Sequence, residues 1–238
     1  MNETETGVEA GVQVSVAGRR NGGGGSEAGS QPFVLPRWGI EILRVVFRAT
    51  FRLLWNMRVR GEGHIPLEGG LIIAANHQTY IDPFWLAVPV RRYLRYLAWD
   101  EIFSWPLVGT LVRWLGAWPL QLERGDPQAI RRSLQWLRQG GAVVIFPEGG
   151  RAKADGVPRR FKTGAARMAL EAGVPVLPVT IRGGHQIWPS DWRYPKLSGH
   201  LELIYHPLQH VSQLPGETPR EAARRASERL AETIHSAL

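Results

Sequence analysis

Two short apolar stretches of the same design limit the fold of this 238-residue chain more than any other feature. Each follows a glycine pair, contains five mostly β-branched or small apolar residues, and ends in a polar turn; they span residues 71–75 and 142–146. Continuous apolar runs of this length are typical of strands buried on both faces. Because helix signals alternate with strand signals along the chain, we predict an α/β fold with a mixed, largely parallel sheet flanked by helices.

The turn after the first stretch, the histidine turn (residues 76–82), holds His77 and Asp82. Asp82 followed by Pro83 predicts a helix start, because Asp is a good N-cap and Pro is tolerated in the first helical turn. Histidine titrates near neutral pH, and a neighbouring carboxylate orients an imidazole. The pair therefore fits a general base with its supporting carboxylate. The spacing by itself also fits a helix cap beside an ordinary polar loop residue.

The turn after the second stretch, the glycine turn (residues 146–151), contains Glu148, Gly149 and Arg151. Ligands of open α/β sheets bind beyond the carboxyl ends of strands, so we expect both turns at one edge of the sheet. Glycine lets the backbone approach an anion closely, and a guanidinium matches phosphate oxygens. We predict that Gly149 and Arg151 bind substrate, and that Glu148 binds hydroxyl groups of the substrate or orients Arg151. An ordinary polar turn is the alternative interpretation.

In this order and spacing, Asn-His-Gln-Thr-Tyr-Ile-Asp-Pro (76–83) and Phe-Pro-Glu-Gly-Gly-Arg (146–151) resemble the two main motifs of the lysophosphatidic acid (1-acylglycerol-3-phosphate) acyltransferase family. Two later segments are also similar to that family, namely Phe-Lys-Thr-Gly (161–164) and Val-Pro-Val-Leu-Pro-Val (174–179). By themselves, the prolines of the last segment indicate an edge strand or a strand entrance. The resemblance extends from residue 61 to residue 207.

The resemblance implies that a fatty acyl group moves from acyl-CoA or acyl carrier protein to a lysophospholipid, most simply to the sn-2 hydroxyl of 1-acylglycerol 3-phosphate in phospholipid biosynthesis. His77 would be the general base and Asp82 would orient it, while Arg124, Arg151 and Lys162 would bind phosphate and Glu148 would support the acceptor. The chain has no cysteine, so we expect direct transfer. We expect no cofactor besides the thioester co-substrate, and the histidines show no metal-ligand spacing.

Two departures from the family pattern leave the acceptor open. The segment that carries Arg124 is about two residues longer than the usual Gly-x5-Arg, and Trp99 stands where many members carry a lysine. Another lysophospholipid, glycerol 3-phosphate or a lyso-aminolipid is therefore an alternative acceptor. A catalytically silent lipid-binding protein is a further alternative, which the intact His-Asp pair disfavours.

Three regions follow from composition: a tail expected to be disordered (residues 1–31), an amphipathic membrane-interface helix region (32–60) and an acyltransferase domain (61–238). The tail is rich in glycine and poor in large apolar residues. In the second region, charges recur at helical spacing and form one narrow stripe, made of Arg37, Glu41, Arg44, Arg48 and Arg52.

Charges in the middle of this helix interrupt the roughly 20 apolar residues that a membrane span needs. We therefore expect the helix to lie in a membrane interface, with Trp38, Phe47 and Trp55 below the headgroups. Packing of most of its apolar arc on the domain is the alternative. The net charge of +8 fits an anionic lipid, an acidic substrate or a nucleic acid, and composition does not choose among them; no nucleic-acid motif accompanies it. We predict membrane association at the cytoplasmic face of the cell membrane.

Residues 103–120 are apolar but interrupted by proline, glycine and arginine, and we expect them to line an acyl-chain groove. Near the end of the chain, residues 201–205 predict a late strand. Thr218 and Glu221 predict a capping box at the start of a final helix that runs toward Ala237.

Overall fold

The computed structural model describes residues 36–99, 103–104, 106, 108–120 and 126–238. The tail predicted over residues 1–31 and the phosphate ligand predicted at Arg124 lie outside the described residues. Trp99 is described for its backbone alone, as the last residue of a strand.

Helices and strands alternate through the described part of the chain, as the sequence predicts. The helices are α1 (Arg37–Trp55), α2 (Asp82–Ala87), α3 (Val108–Trp114), α4 (Pro127–Arg138), α5 (Gly164–Ala172), α6 (Gly184–Ile187) and α7 (Pro219–His235), with a short 3-10 turn at Glu62–His64. The strands are β1 (Arg58–Arg60), β2 (Leu71–Ala75), β3 (Leu94–Trp99), β4 (Ala117–Leu120), β5 (Ala142–Ile145), β6 (Val176–Arg182) and β7 (Glu202–Tyr205).

These strands form one sheet in the order β1-β7-β6-β2-β5-β3-β4. The β6–β7 pair is antiparallel, and every other neighbouring pair is parallel. The predicted mixed, largely parallel α/β fold is therefore confirmed. Because β2 and β5 are parallel neighbours, with Ala74 opposite Ile145, the histidine turn and the glycine turn leave the same edge of the sheet.

Strand β2 shows why its sequence is apolar at every position. Leu71, Ile73 and Ala75 belong to a core that includes residues of α1 and α2, whereas Ile72 and Ala74 belong to a second core with α4, α5 and α7. Alternate residues of a strand point to opposite faces, so a central strand covered by helices on both sides needs an uninterrupted apolar run.

The prolines of the 174–179 segment do not place it at a sheet edge, since β6 lies between β7 and β2. Pro175 precedes the strand, but Pro178 lies within it, opposite Ala74. The Pro178 carbonyl accepts from the His206 N–H, so the proline nitrogen also faces the β7 side. Pairing with β7 is assigned from Val179 onward, so the missing N–H falls at the end of this ladder and removes only the reciprocal hydrogen bond to His206.

Helix α1 confirms the predicted amphipathic helix but divides its apolar arc between two surroundings. Phe51 and Trp55 are buried in the core, and Phe47 packs against it, stacked on Phe51 and edge-on to Phe84. Phe47 and Trp55 were thus wrongly predicted to lie among lipid, because the arc is wide enough to cover the domain on one side. Trp38 is exposed, as are the apolar side chains of Ile42, Val45, Val46 and Leu53.

Among the residues described, we find no helix that combines the length and the apolar character that crossing a membrane requires. At the other end of the fold, the capping box of α7 is confirmed. Thr218 accepts from the Glu221 N–H, while Glu221 accepts from the Thr218 N–H. This helix packs on α5 and covers the second core.

Candidate active site

The structure brings together the two residues that the sequence pairs in the histidine turn. Nδ1 of His77 lies 2.8 Å from Oδ2 of the fully buried Asp82. A carboxylate only accepts hydrogen bonds, so this contact assigns the proton of the neutral imidazole to Nδ1 and leaves the lone pair on Nε2. The imidazole also stacks on Phe146, with ring centroids 4.0 Å apart. The ring is therefore fixed in orientation while its free nitrogen is available as a base.

Asp82 is not the helix cap that the sequence suggests. Ile81 is the N-cap of α2, and Asp82 is the first helical residue. Its Oδ2 accepts from the backbone N–H of Gln78 and of Thr79, at 2.6 and 2.9 Å, besides facing His77. Its Oδ1 accepts from the Thr79 hydroxyl at 2.7 Å. Because the carboxylate points back into the histidine turn, it shapes the turn and orients the imidazole at once.

The backbone of His77 is held by the glycine turn and the residue that follows it. The His77 N–H donates to Oε1 of Glu148 at 2.8 Å, and the His77 carbonyl accepts from the Ala152 N–H at 2.7 Å. The histidine turn is also tied to β6, because the Asn76 side chain donates to the Ile181 carbonyl and accepts from the Ile181 N–H. Neighbours on both sides of β2 therefore fix the position of His77.

The predicted orientation of Arg151 by Glu148 is wrong, because the Glu148 carboxylate binds backbone N–H groups instead. The carboxylate is buried, and its second oxygen accepts from the Arg159 N–H at 2.7 Å. Burial raises the pKa of the Glu148 carboxyl, and the two backbone hydrogen bonds partly oppose that shift. Glu148 thus joins the histidine turn to the segment after the glycine turn. Its predicted binding of acceptor hydroxyls stays a prediction.

Arg151 is oriented by Tyr80 of the histidine turn rather than by Glu148. Its guanidinium carbon lies 3.6 Å from the centre of the Tyr80 ring, and Nη2 donates to the Tyr80 hydroxyl at 2.8 Å. The contact combines a cation–π interaction with a hydrogen bond. Sequence reasoning missed Tyr80, although an aromatic residue inside a tight polar turn is a usable signal.

Lys162 and Arg159 bring two more cations to the glycine turn. Gly149 has a φ of +67°, and a Cβ there would lie 2.6 Å from Nζ of Lys162. A Cβ at Gly150 would lie 3.1 Å from Nη1 of Arg159. Glycine at these two positions therefore leaves space that a basic side chain from elsewhere in the chain occupies. Arg159 was missed from the sequence, where it stands in a basic pair before Phe161.

An apolar cavity of about 840 Å³ begins beside the histidine turn. Tyr80, Ile81 and Phe84 form part of its wall, and α1 contributes Ile40 and Phe47. Of the residues that the structure describes in the segment predicted as an acyl-chain groove, three lie on the cavity wall: Val112, Leu115 and Ala117. A volume of this size suits a largely apolar ligand.

Comparisons with known proteins identify the family to which the chain belongs. A sequence model of the acyltransferase family matches residues 56–182, which include the histidine turn, the glycine turn and Lys162. The chain is 31% identical, over 164 residues, to the chloroplast 1-acyl-sn-glycerol-3-phosphate acyltransferase LPAT1 of Arabidopsis thaliana, covering 67% of this chain and 45% of that protein. A Pseudomonas aeruginosa 1-acyl-sn-glycerol-3-phosphate acyltransferase is 31% identical over 192 residues, covering 75% of this chain and 67% of that protein.

Among solved structures, the fold is similar to that of the 1-acyl-sn-glycerophosphate acyltransferase PlsC from Thermotoga maritima. The TM-score is 0.68 at 26% sequence identity, covering 84% of this chain and 79% of that one. The chain spans less than half the length of the two chloroplast relatives, 45% of the Arabidopsis protein and 39% of its Brassica napus counterpart. The family match nevertheless covers more than half of the chain, which therefore belongs to the acyltransferase family.

Proposed function

We propose that this protein transfers a fatty acyl group from an acyl thioester, acyl-CoA or acyl carrier protein, to the sn-2 hydroxyl of 1-acylglycerol 3-phosphate. The observation that carries the proposal is the His77–Asp82 pair, whose geometry leaves Nε2 of His77 free to act as a base. The names of the relatives, which are 1-acyl-sn-glycerol-3-phosphate acyltransferases, support this acceptor.

In the proposed reaction, Nε2 of His77 takes the proton of the acceptor hydroxyl as its oxygen attacks the thioester carbonyl carbon. Asp82 stabilises the imidazolium that forms. The tetrahedral intermediate collapses, the carbon–sulfur bond breaks, and the leaving thiolate recovers the proton from the imidazolium. The products are an ester and a free thiol. Since the chain contains no cysteine, direct transfer between the two bound substrates is the simplest course.

The acceptor phosphate binds, in this proposal, at the cations around the glycine turn: Arg151, Arg159 and Lys162. Guanidinium and ammonium groups both stabilise phosphate, and Gly149 leaves room for Lys162 beside the turn. Arg124 stays a proposed fourth ligand. It follows β4, whose carboxyl end lies at the same sheet edge as the ends of β2 and β5.

The acyl chain occupies the apolar cavity, and α1 attaches the protein to the membrane that supplies the lipid. The exposed apolar side chains of α1 support the second step, since a charged helix with such a face suits a membrane interface. We propose peripheral association with the cytoplasmic face of the cell membrane. Helix α1 thereby joins both roles, because its other face lines the cavity.

The test is thiol release from palmitoyl-CoA, or from palmitoyl carrier protein, with and without 1-acylglycerol 3-phosphate. We expect acceptor-dependent release, and a His77→Ala variant that folds but turns over about 10²-fold to 10⁴-fold more slowly. Wild-type turnover in that variant would refute the mechanism. Absence of thiol release with both donors and several lyso-lipids would instead support a lipid-binding protein without catalytic activity.

A second acceptor is supported by Trp99, which ends β3 at the active-site edge in place of the lysine found in many relatives. A tryptophan in place of a cation at this position favours an acceptor other than simple lysophosphatidic acid. A comparison of 1-acylglycerol 3-phosphate with other lysophospholipids, glycerol 3-phosphate and a lyso-aminolipid, at a fixed donor, decides between them. Fastest turnover of a phosphate-free acceptor would also overturn the roles proposed for the basic residues.

A further inference from the structure

The segment between α6 and β7 exposes large apolar side chains, although part of it also lines the cavity. This aromatic loop, residues 188–197, leaves 67% of Tyr194 and 74% of Leu197 exposed, and Trp192 is also exposed. Its backbone is nevertheless held in place, because the Trp188 indole donates to the Trp192 carbonyl and the Lys196 N–H donates to the Ile187 carbonyl. The exposed apolar groups are thus presented by an ordered loop.

Two cations of the loop lie over its aromatic rings. The Arg193 guanidinium carbon is 5.3 Å from the centre of the Tyr194 ring, and Nζ of Lys196 is 5.0 Å from the centre of the Trp192 ring. Indole and phenol rings beside long cationic side chains are characteristic of membrane interfaces, where the rings sit at headgroup level and the cations meet lipid phosphates. Because cations accompany the rings, this composition fits an anionic lipid surface better than an apolar surface of another protein.

The aromatic loop also contacts α1 and lines the same cavity. The Trp55 indole of α1 donates to the Lys196 carbonyl at 2.8 Å, which joins the helix and the loop directly. Trp192 and Tyr194 line the same cavity as Ile40 and Phe47 of α1. The cavity therefore lies between two elements that both expose apolar groups, α1 on one side and the aromatic loop on the other.

We propose that the aromatic loop is a second lipid-contacting element, which together with α1 seats the rim of the cavity on the surface of an anionic phospholipid bilayer. Two separated contacts fix the tilt of a peripheral protein, whereas one helix leaves it free to rotate about its own axis. The purpose of this arrangement, passage of a lipid chain from the bilayer into the cavity, rests on the proposed function. The contact itself does not.

The test compares a loop variant with a matched control. Lys196→Glu/Leu197→Asp changes two exposed side chains that do not line the cavity. The control, Leu214→Asp/Arg220→Glu, changes the net charge equally and also removes one exposed leucine. Leu214 precedes α7, and Arg220 lies in its first turn. Sedimentation with vesicles of phosphatidylcholine and phosphatidylglycerol measures binding. We expect the loop variant to bind at least about tenfold more weakly than wild type, and the control to bind within about twofold to threefold.

Turnover separates this proposal from the proposed function. With a short-chain acyl-CoA and a short-chain acceptor in free solution, we expect the loop variant to match wild type. With the acceptor embedded in vesicles, we expect its turnover to fall in parallel with its vesicle binding. Absence of turnover in wild type would reject the proposed function while the binding comparison still stands.

Three results would overturn the lipid contact. Equal vesicle binding by the loop variant and the control would show that the loop does not touch lipid. No binding by wild type would do the same. A change in oligomeric state in the loop variant, measured by light scattering, with vesicle binding intact would instead make this face a contact between copies of the chain.

Discussion

A single buried carboxylate determines much of the geometry around His77. Asp82 uses Oδ2 for the imidazole and for two backbone N–H groups, and Oδ1 for the Thr79 hydroxyl. The backbone donors require a charged or at least accepting oxygen, and the imidazolium of the proposed reaction requires a negative charge. One side chain therefore meets a structural and a chemical demand, which a mutation can separate only in part.

Asp82→Asn and Thr79→Val affect the structural and the chemical role of Asp82 to different extents. In Asp82→Asn the charge is lost, so we expect kcat to fall by about 10²-fold to 10⁴-fold, together with a loss of stability from disrupted hydrogen bonds. Thr79→Val removes the hydrogen bond to Oδ1 and the one that the Thr79 hydroxyl accepts from the Ile81 N–H, but it leaves Oδ2 on His77. We therefore expect kcat to fall less than about tenfold. Steady-state kinetics and urea unfolding measure both effects. Equal losses of kcat would mean that the charge of Asp82 has no special role.

At the scale of elements, α1 shows how one helix is shared between a core and a surface. Phe51 stacks between Phe47 and Trp55 on the side that faces the domain. Leu53, two positions later, points away from it. Residues two apart on a helix lie on different faces, so a helix with a wide apolar arc can satisfy both surroundings.

A pair of variants on α1 tests this division. Phe51 is 6% exposed, and Phe51→Ala should lower the free energy of unfolding by about 3 to 5 kcal/mol because it leaves a cavity. Leu53 is 85% exposed, so Leu53→Ala should change stability by less than about 0.5 kcal/mol but weaken vesicle binding. Urea unfolding and vesicle sedimentation provide the two measurements. A strong loss of stability in Leu53→Ala, or unchanged vesicle binding, would contradict the assignment of this face.

For the whole molecule, the active-site edge is also where separate parts of the fold are joined. Glu148 links the N–H of His77, after β2, to the N–H of Arg159, beyond the glycine turn after β5. Ala152 adds a backbone hydrogen bond to the His77 carbonyl. Because these contacts connect the ends of central strands, the ionisation of Glu148 is expected to affect the unfolding of the whole domain.

The raised pKa of Glu148 gives this link a measurable pH dependence. The folded state holds the carboxyl proton more tightly than the unfolded state, so the stabilising contribution of protonation is fully present below the unfolded pKa. That contribution is lost as the pH rises through the folded pKa. We therefore expect the unfolding free energy of wild type to fall, relative to Glu148→Gln, as the pH rises above about 4.5. Parallel pH profiles of the two proteins in urea unfolding would show that burial does not govern this group.

Local patterns were sufficient for the elements that carry the site. The uninterrupted apolar runs at residues 71–75 and 142–146 predicted two central strands, and the polar turns after them were predicted to lie at one edge of the sheet; both predictions are confirmed. The capping box of α7 also follows from residues that are neighbours in the chain. Such features depend on short-range sterics and hydrogen bonding, which a sequence expresses directly.

Contacts between segments distant in sequence needed the tertiary structure. Sequence alone determined the α/β fold, the His77–Asp82 pair and the amphipathic character of α1. Only the folded chain decided that Glu148 accepts from the His77 N–H and that Tyr80 orients Arg151. It also decided that Arg159 and Lys162 both lie beside the glycine turn, and which face of α1 is buried. The reason is physical: a charged or aromatic side chain has several equally suitable partners in sequence, and packing selects one of them by distance.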